Sequence, residues 1–298
     1  MKIVLFGKGG QVGWELQRSL ATLGELTALD FDSTDFHADF SKPAQLADTV
    51  RALKPDVIVN AAAHTAVDKA ESEPAFAATL NAEGTRVLAE QAKALGAWLV
   101  HYSTDYVFDG SGNAARTEDA LTSPLSVYGR TKLDGENHIR ASGCAHLILR
   151  TSWVYAARGG NFARTMIKLA SERDTLSVID DQFGAPTGAE LLADVTAHAI
   201  RACKATPTLG GTYHAVAGGE TNWFEYARFV IEWARANGLP VKVAADAIKP
   251  VPTSGYPTPA QRPLNSRLDT HKLRSAFNIT LPHWQTGVRR MLMEAYAK

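Results

Sequence analysis

A doubly wound parallel α/β sheet with a smaller mixed α/β lobe at the carboxy terminus is the fold class this sequence predicts. Three observations predict it. The chain opens on an apolar run, a glycine-rich turn and an amphipathic segment. Short apolar runs then alternate with longer helical patterns through the first half of the chain. That rhythm weakens near residue 155. Parallel strands need crossover connections, so alternation of this kind implies a sheet covered by helices on both faces.

Residues 3–6 are continuously apolar, as in a strand buried on both sides. Val12, Leu16, Leu20 and Leu23 then share one face of a helix over 12–23. Residues 26–29 form the next strand, ending at Asp30, and Pro43–Leu53 the next helix. A strand over 57–62 is followed by a helical pattern over 73–95, carried by Phe76, Leu80, Val87, Leu88 and Leu95 and broken only by Gly84. Residues 98–102 are strand, 128–141 helix and 147–151 strand. Farther on, 162–170, 189–202 and Trp223–Ala236 read as helices, with a Gly/Pro break at 183–188. The proline-rich stretch 249–263 is expected to be an ordered surface loop. The expected division is a nucleotide-binding domain over 1–155 and a second lobe over 156–298, some of whose segments return to the first domain.

Composition narrows the function. Of 298 residues, 45% are hydrophobic, and 31 basic residues balance 31 acidic ones, so no strong field draws nucleic acid or an anionic membrane. No apolar run reaches the roughly 18 residues that span a bilayer, and the opening apolar stretch is too short for a signal peptide. Cys144 and Cys203 lack a C-x-x-C or a His cluster, so they read as small apolar fillers and no metal site is expected from them. A reducing cytoplasm is the expected compartment.

The glycines Gly7, Gly10 and Gly13 frame the first turn. A strand–glycine–helix order lets backbone N–H groups face a pyrophosphate at the helix N-terminus; the same glycines could also serve a plain turn. Asp30 stands at the end of the second strand, where a carboxylate would accept from ribose hydroxyls or simply cap a turn. Alone it favours NAD(H), but Lys8 in the glycine loop can offset its charge. Asn60-Ala61-Ala62-Ala63-His64-Thr65 closes another strand with small residues, suited either to a flat ring or to close packing.

Tyr128 and Lys132 are four apart on a helix and share a face. An ammonium beside a phenol favours the tyrosinate and makes the phenol a better acid, which suits proton transfer near neutral pH. Thr104, at the end of a strand, would add a hydroxyl able to orient a carbonyl oxygen. His37, His101 and His214 show no partner pattern and read as structural or exposed.

The quoted segments, with Ser103-Thr104-Asp105-Tyr106-Val107-Phe108, Tyr128-Gly129-Arg130-Thr131-Lys132, Arg150-Thr151-Ser152-Trp153 and Arg262-Pro263-Leu264-Asn265-Ser266, are similar end to end to extended short-chain dehydrogenase/reductases of the dTDP-4-dehydrorhamnose reductase family. The resemblance implies a Rossmann-type domain and reduction of a dTDP-linked 4-keto-6-deoxysugar by NADPH or NADH. It implies that Gly10, Gln11, Val12, Asp30, Asp39, Phe40, Ala63, His64, Thr65, Tyr102, Tyr128 and Lys132 contact the coenzyme. It further implies that Thr104, Asp105, Tyr128 and Trp153 face the sugar nucleotide, and that the chain is a homodimer. Magnesium at a dimer interface is also implied, with Glu15, Glu190 and Glu294 as candidate ligands. The Arg262 segment could clamp a diphosphate or be plain surface loop.

Relatives of this fold leave three competing readings. A 4,6-dehydratase would carry a second carboxylate after Thr104-Asp105, where this chain has Tyr106. A 4-epimerase uses the same Tyr–Lys pair. A regulatory subunit of methionine adenosyltransferase would bind NADP without turnover; retention of Thr104, Tyr128 and Lys132 favours an enzyme.

Overall fold

Along the first strand Ile3 and Leu5 point to one face while Val4 and Phe6 point to the other, and all four are buried. Side chains alternate along a strand, so such a run needs cover on both sides. The computed structural model, which describes residues 1–296, supplies it.

The amino-terminal half runs β1 (Lys2–Phe6), α1 (Gln11–Ala21), β2 (Glu25–Leu29), α2 (Pro43–Leu53), β3 (Val57–Asn60), α3 (Val67–Ser72), α4 (Pro74–Ala78), a π-helical turn (Thr79–Glu83), α5 (Gly84–Leu95), β4 (Trp98–Thr104), α6 (Val127–Ser142) and β5 (Ala145–Thr151). The rest runs β6 (Val154–Tyr155), α7 (Phe162–Glu172), β7 (Leu176–Ile179), β8 (Phe183–Gly184), β9 (Thr187–Gly188), α8 (Ala189–Ala205), β10 (Gly211–His214), β11 (Thr221–Asn222), α9 (Trp223–Ala236), β12 (Ile248–Val251), α10 (His271–Phe277) and α11 (Trp284–Tyr296).

One sheet has the order β10-β5-β4-β3-β1-β2, and all its pairings are parallel. On one face Leu16 and Leu20 of α1 and Leu192, Ala199 and Ile200 of α8 pack against Ile3, Leu5, Val59 and Leu149. On the other, α2 and α5 supply Leu46, Val50, Val87 and Leu88 against Val4, Phe6, Ile58 and Ile148. A further cluster joins α7, α9 and α11 through Met166, Ile167, Val230, Ile231, Val288 and Leu292. Strand order reverses at β1, between β2 and β3, and ligands of such sheets bind outside the strands' carboxyl ends at that reversal. No described helix is long and apolar enough to cross a membrane.

Segments after residue 155 complete this sheet: β10 adds to β5, with Gly211 opposite Leu147 and His214 opposite Arg150. The stretch expected as one helix over 73–95 is instead α4, a π-helical turn and α5 in succession. Gly84 does not break it, since its backbone is helical. A Cβ there would meet the Phe40 ring at 2.5 Å, so glycine serves close packing. The proline-rich stretch is not all loop, because its beginning pairs as β12 with β7. The helices α10 and α11 also bury apolar side chains, Leu273 and Phe277 in the first and Trp284, Val288, Met291 and Leu292 in the second.

Candidate active site

Gly7 sits at φ +85°, a conformation that strains any residue with a Cβ. A Cβ on Gly7 would also lie 2.7 Å from the Ala62 amide nitrogen, so β1 and the end of β3 touch there. A Cβ on Gly13 would overlap the Gly7 carbonyl oxygen, and this contact draws α1 onto the turn. Gly10 caps α1 with no side-chain hydrogen bond and no acidic residue in the first turn, leaving the first N–H groups free for an anion. The cradle therefore fits a dinucleotide pyrophosphate. Replacing Gly13 by alanine should lower stability by about 1–3 kcal/mol through overpacking, read as a shift of the urea midpoint; an unshifted midpoint would refute the contact.

The other sequence-predicted residues have varied surroundings. Asp30 accepts from the Gly9 amide at 2.8 Å and from the Phe31 amide at 2.9 Å, so both oxygens brace the turn. Asp39 caps a turn through Ser41, and that hydrogen bonding holds its carboxyl below the usual range. The Phe40 ring is core, edge-on to Phe6. Gln11 reaches the Gly160 carbonyl at 3.0 Å, and Val12 packs on the core. Ala63 is half-buried and Thr65 exposed, while His64 is buried with its Nδ1 unpartnered. The Tyr102 ring joins the core and its hydroxyl bonds Thr196 at 2.5 Å, so the side chain turns toward α8 and leaves only its backbone to face a coenzyme. Arg262 pairs with Asp68 at 2.6 Å.

Thr104, Asp105, Tyr128 and Lys132 gather at the carboxyl end of β4 and the start of α6. Ser126 caps α6 by accepting from the Gly129 amide, which places Tyr128 in the first turn. The helix can approach the turn after β4 because Gly129 has no Cβ, which would strike the Tyr106 carbonyl. Burial pushes the Tyr128 phenol well up from its usual value, and the Thr104 hydroxyl is the neighbour that opposes this rise. Tyr106 stands edge-on to Tyr128 at 5.5 Å. Thr104 donates to Asp105 at 3.0 Å, and burial raises that carboxyl to about 6. Thr151 Oγ1 and Ser152 Oγ are buried at the end of β5 without partners. Orphaned polar atoms of this kind mark a place for a polar ligand.

Lys132 is buried, and burial lowers its ammonium to about 8. The expected ammonium-assisted acidification of Tyr128 is therefore opposed by burial on both sides of the pair. His101, read from sequence as structural or exposed, is fully buried with Nε2 3.1 Å from Lys132 Nζ. Asn81, in the π-helical turn, accepts from the His64 amide at 2.8 Å and donates to Thr131 at 3.0 Å, joining the end of β3 to α6. π-Turns recur at functional sites. The only sequence signal for Asn60, Asn81 and His101 was a polar residue inside an apolar run.

Trp153 follows β5 at φ +51°, rare for a bulky residue, and stacks on Trp223 of α9 at 3.8 Å. Trp223 had no signal beyond its place on a helix. Three surface cavities lie elsewhere, and none is lined by Thr104, Tyr128 or Lys132. One, of about 360 Å³, is lined by Glu15, Glu190 and Glu294 together with Arg18 and Arg290. Among the described residues no group of three or more His, Cys, Asp or Glu side chains is placed to hold a metal ion. No step is derived through a metal.

The chain matches the model of the RmlD substrate binding domain over residues 1–297. It is 58% identical over 296 residues to the dTDP-4-dehydrorhamnose reductase of Escherichia coli K12, covering 99% of this chain and 98% of that one. A crystal structure of a dTDP-4-dehydrorhamnose reductase from Clostridium acetobutylicum superposes with a TM-score of 0.89 at 34% identity, covering 98% of each chain. A Bacillus anthracis dTDP-4-dehydrorhamnose reductase in complex with NADP gives 0.87 at 33% identity, covering 98% of this chain and 99% of that one. With its glycine cradle, strand-end hydroxyls and Tyr–Lys helix, the chain belongs to the dTDP-4-dehydrorhamnose reductase family.

Proposed function

We propose that this protein reduces dTDP-4-dehydro-β-L-rhamnose (dTDP-6-deoxy-L-lyxo-4-hexulose) to dTDP-L-rhamnose with NADPH, NADH being the alternative donor. The carrying observation is the meeting of Tyr128 with Thr104 at the carboxyl end of β4, on a helix that Asn81 ties to the end of β3. The bound dihydronicotinamide would supply a hydride to the C4 carbonyl carbon. Thr104 would hold the carbonyl oxygen, and Tyr128 would deliver the proton that completes the alcohol. Lys132, as an ammonium, would favour the tyrosinate left behind. The N-terminus of α1 would take the coenzyme pyrophosphate. Asp105 and Trp153 are proposed for the sugar-nucleotide side, with Asp30, Asp39, Phe40, Ala63, His64 and Thr65 on the coenzyme side, Phe40 by its backbone. In this reading the nucleotide domain spans 1–155 plus the returning α8 and β10, and the remainder forms the substrate lobe. A cytoplasmic homodimer is the proposed working form; both cysteines are free and buried, as suits a reducing compartment.

The test is oxidation of NADPH, and of NADH in parallel, assayed with a panel of dTDP-4-keto-6-deoxyhexoses. Stoichiometric formation of dTDP-L-rhamnose is expected. Net epimerisation with tightly retained coenzyme, or coenzyme binding with no turnover of any keto sugar, would overturn the reading.

A further inference from the structure

A hydrogen-bond chain behind the Tyr–Lys helix settles which atoms donate. Asn60, at the end of β3, accepts from the Ala62 amide through Oδ1 at 3.1 Å. A backbone N–H can only donate, so that atom of Asn60 is the oxygen. Its Nδ2 faces Thr85 Oγ1 at 3.4 Å, and the Thr85 hydroxyl spends its proton on the Asn81 carbonyl at 2.8 Å. Both contacts give the same amide orientation. Nδ2 also lies 3.2 Å from His101 Nδ1, which must then be the acceptor. A neutral imidazole carries one proton, so it resides on Nε2, which is 3.1 Å from Lys132 Nζ. An N–H can be received there only by an amine with a free lone pair. If Lys132 were an ammonium donating to Nε2, the proton on Nδ1 would face the Asn60 NH₂, and a buried donor would be left unmet.

We propose that Asn60 and His101 are positioning residues that set the protonation of Lys132: Asn60 locks His101 as the Nε2–H tautomer, which donates to the Lys132 amine in the free protein. Drawing Nζ away from His101 into the coenzyme site then lets Lys132 take up one proton from solvent, while the ring keeps its own. The titratable groups that face Lys132 support this. Besides His101 from β4, they are Tyr128 and Glu136 of its own helix, and Glu136 is already engaged by Arg150 of β5 and by Arg140. Burial holds His101 well below the usual imidazole value, so the ring stays neutral. The same burial lowers Lys132, and the tautomer lock acts in the same direction.

The inference rests on the Tyr–Lys reading above for its functional consequence, but its first test does not. Nitrogen-15 shifts of the His101 ring in the free protein, assigned by their loss in His101→Gln, should show Nε2 protonated and Nδ1 bare at about pH 9, where Lys132 is an amine. A proton on Nδ1 would overturn the proposal. In Asn60→Asp the carboxylate can accept from Nδ1, so the ring should switch to the Nδ1–H tautomer. The second test is the pH profile of kcat/KM, which should fall as pH rises and the free protein's Lys132 loses its proton. Asn60→Asp and the uncharged His101→Gln, which can turn an amide oxygen to the ammonium, should both move that limb upward by about one pH unit. Limbs unmoved in both variants would refute the link to Lys132. Absence of any turnover by the wild-type protein would instead reject the proposed function, with the ring tautomer still decided by the shifts.

Discussion

Replacing Tyr128 by phenylalanine is expected to lower kcat by about 10²–10⁴-fold, the range that general acid catalysis supplies. The exchange removes one hydroxyl and keeps the ring, so the edge-on contact with Tyr106 survives. Coenzyme affinity should change little, because the α1 cradle is untouched. Burial raises the phenol well above its usual value in the free protein. Activity must therefore draw on what arrives with the ligands and with a charged Lys132. Titration of the variant by coenzyme fluorescence, beside steady-state turnover, separates binding from chemistry. Turnover at the wild-type rate would reassign the proton donor.

The largest expected loss of stability follows Arg150→Ala. The Arg150 guanidinium grips Glu136 through Nε at 2.9 Å and Nη2 at 2.7 Å, also reaches the Glu118 carbonyl, and lies over the Phe108 ring. Both partners are nearly inaccessible, at 3% and 0% side-chain exposure. Removing the cation leaves a buried carboxylate whose remaining salt bridge is to the half-exposed Arg140, at a cost of about 3–5 kcal/mol. Urea unfolding at pH 7 should show that loss, and the double variant Arg150→Met with Glu136→Leu should recover most of it. Similar stability of the single and double variants would refute the argument. Arg150 holds the Glu136 carboxyl below its ordinary value of 4.5 despite burial. A depressed folded value means a contribution present above the unfolded value and lost as pH falls through the folded one. The wild-type protein should therefore lose this part of its stability on acidification below about pH 4.5, while the double variant should not.

Periodicity and glycine placement made the first five strands and their helices legible, because both faces of a parallel sheet must be apolar and each crossover must be long. Pro43–Leu53 and Trp223–Ala236 begin and end where the sequence places them. Other signals misled. Gly84 reads as a breaker by propensity, yet its role is to admit Phe40. No pattern marks a π-turn, since one extra residue in a helical ring leaves the apolar stripe nearly intact. In the site, Tyr128, Lys132 and Thr104 stood out because their spacing and strand-end position carry a chemical meaning. Asn60, Asn81 and His101 did not, because they act through contacts between segments far apart in sequence. The turning away of Tyr102 depends likewise on Thr196, which only folding brings near.

The return of residues 211–214 to the edge of the sheet bears on how the chain is made. Until β10 emerges from the ribosome, β5 presents an open row of backbone donors and acceptors along its outer side. Leucines 16 and 20 likewise await α8. The nascent nucleotide layer thus stays an unfinished, adhesive intermediate for some sixty residues of further synthesis beyond β5. Chaperone occupancy during translation would concentrate in that interval, and release would coincide with the arrival of β10, the last strand of the large sheet.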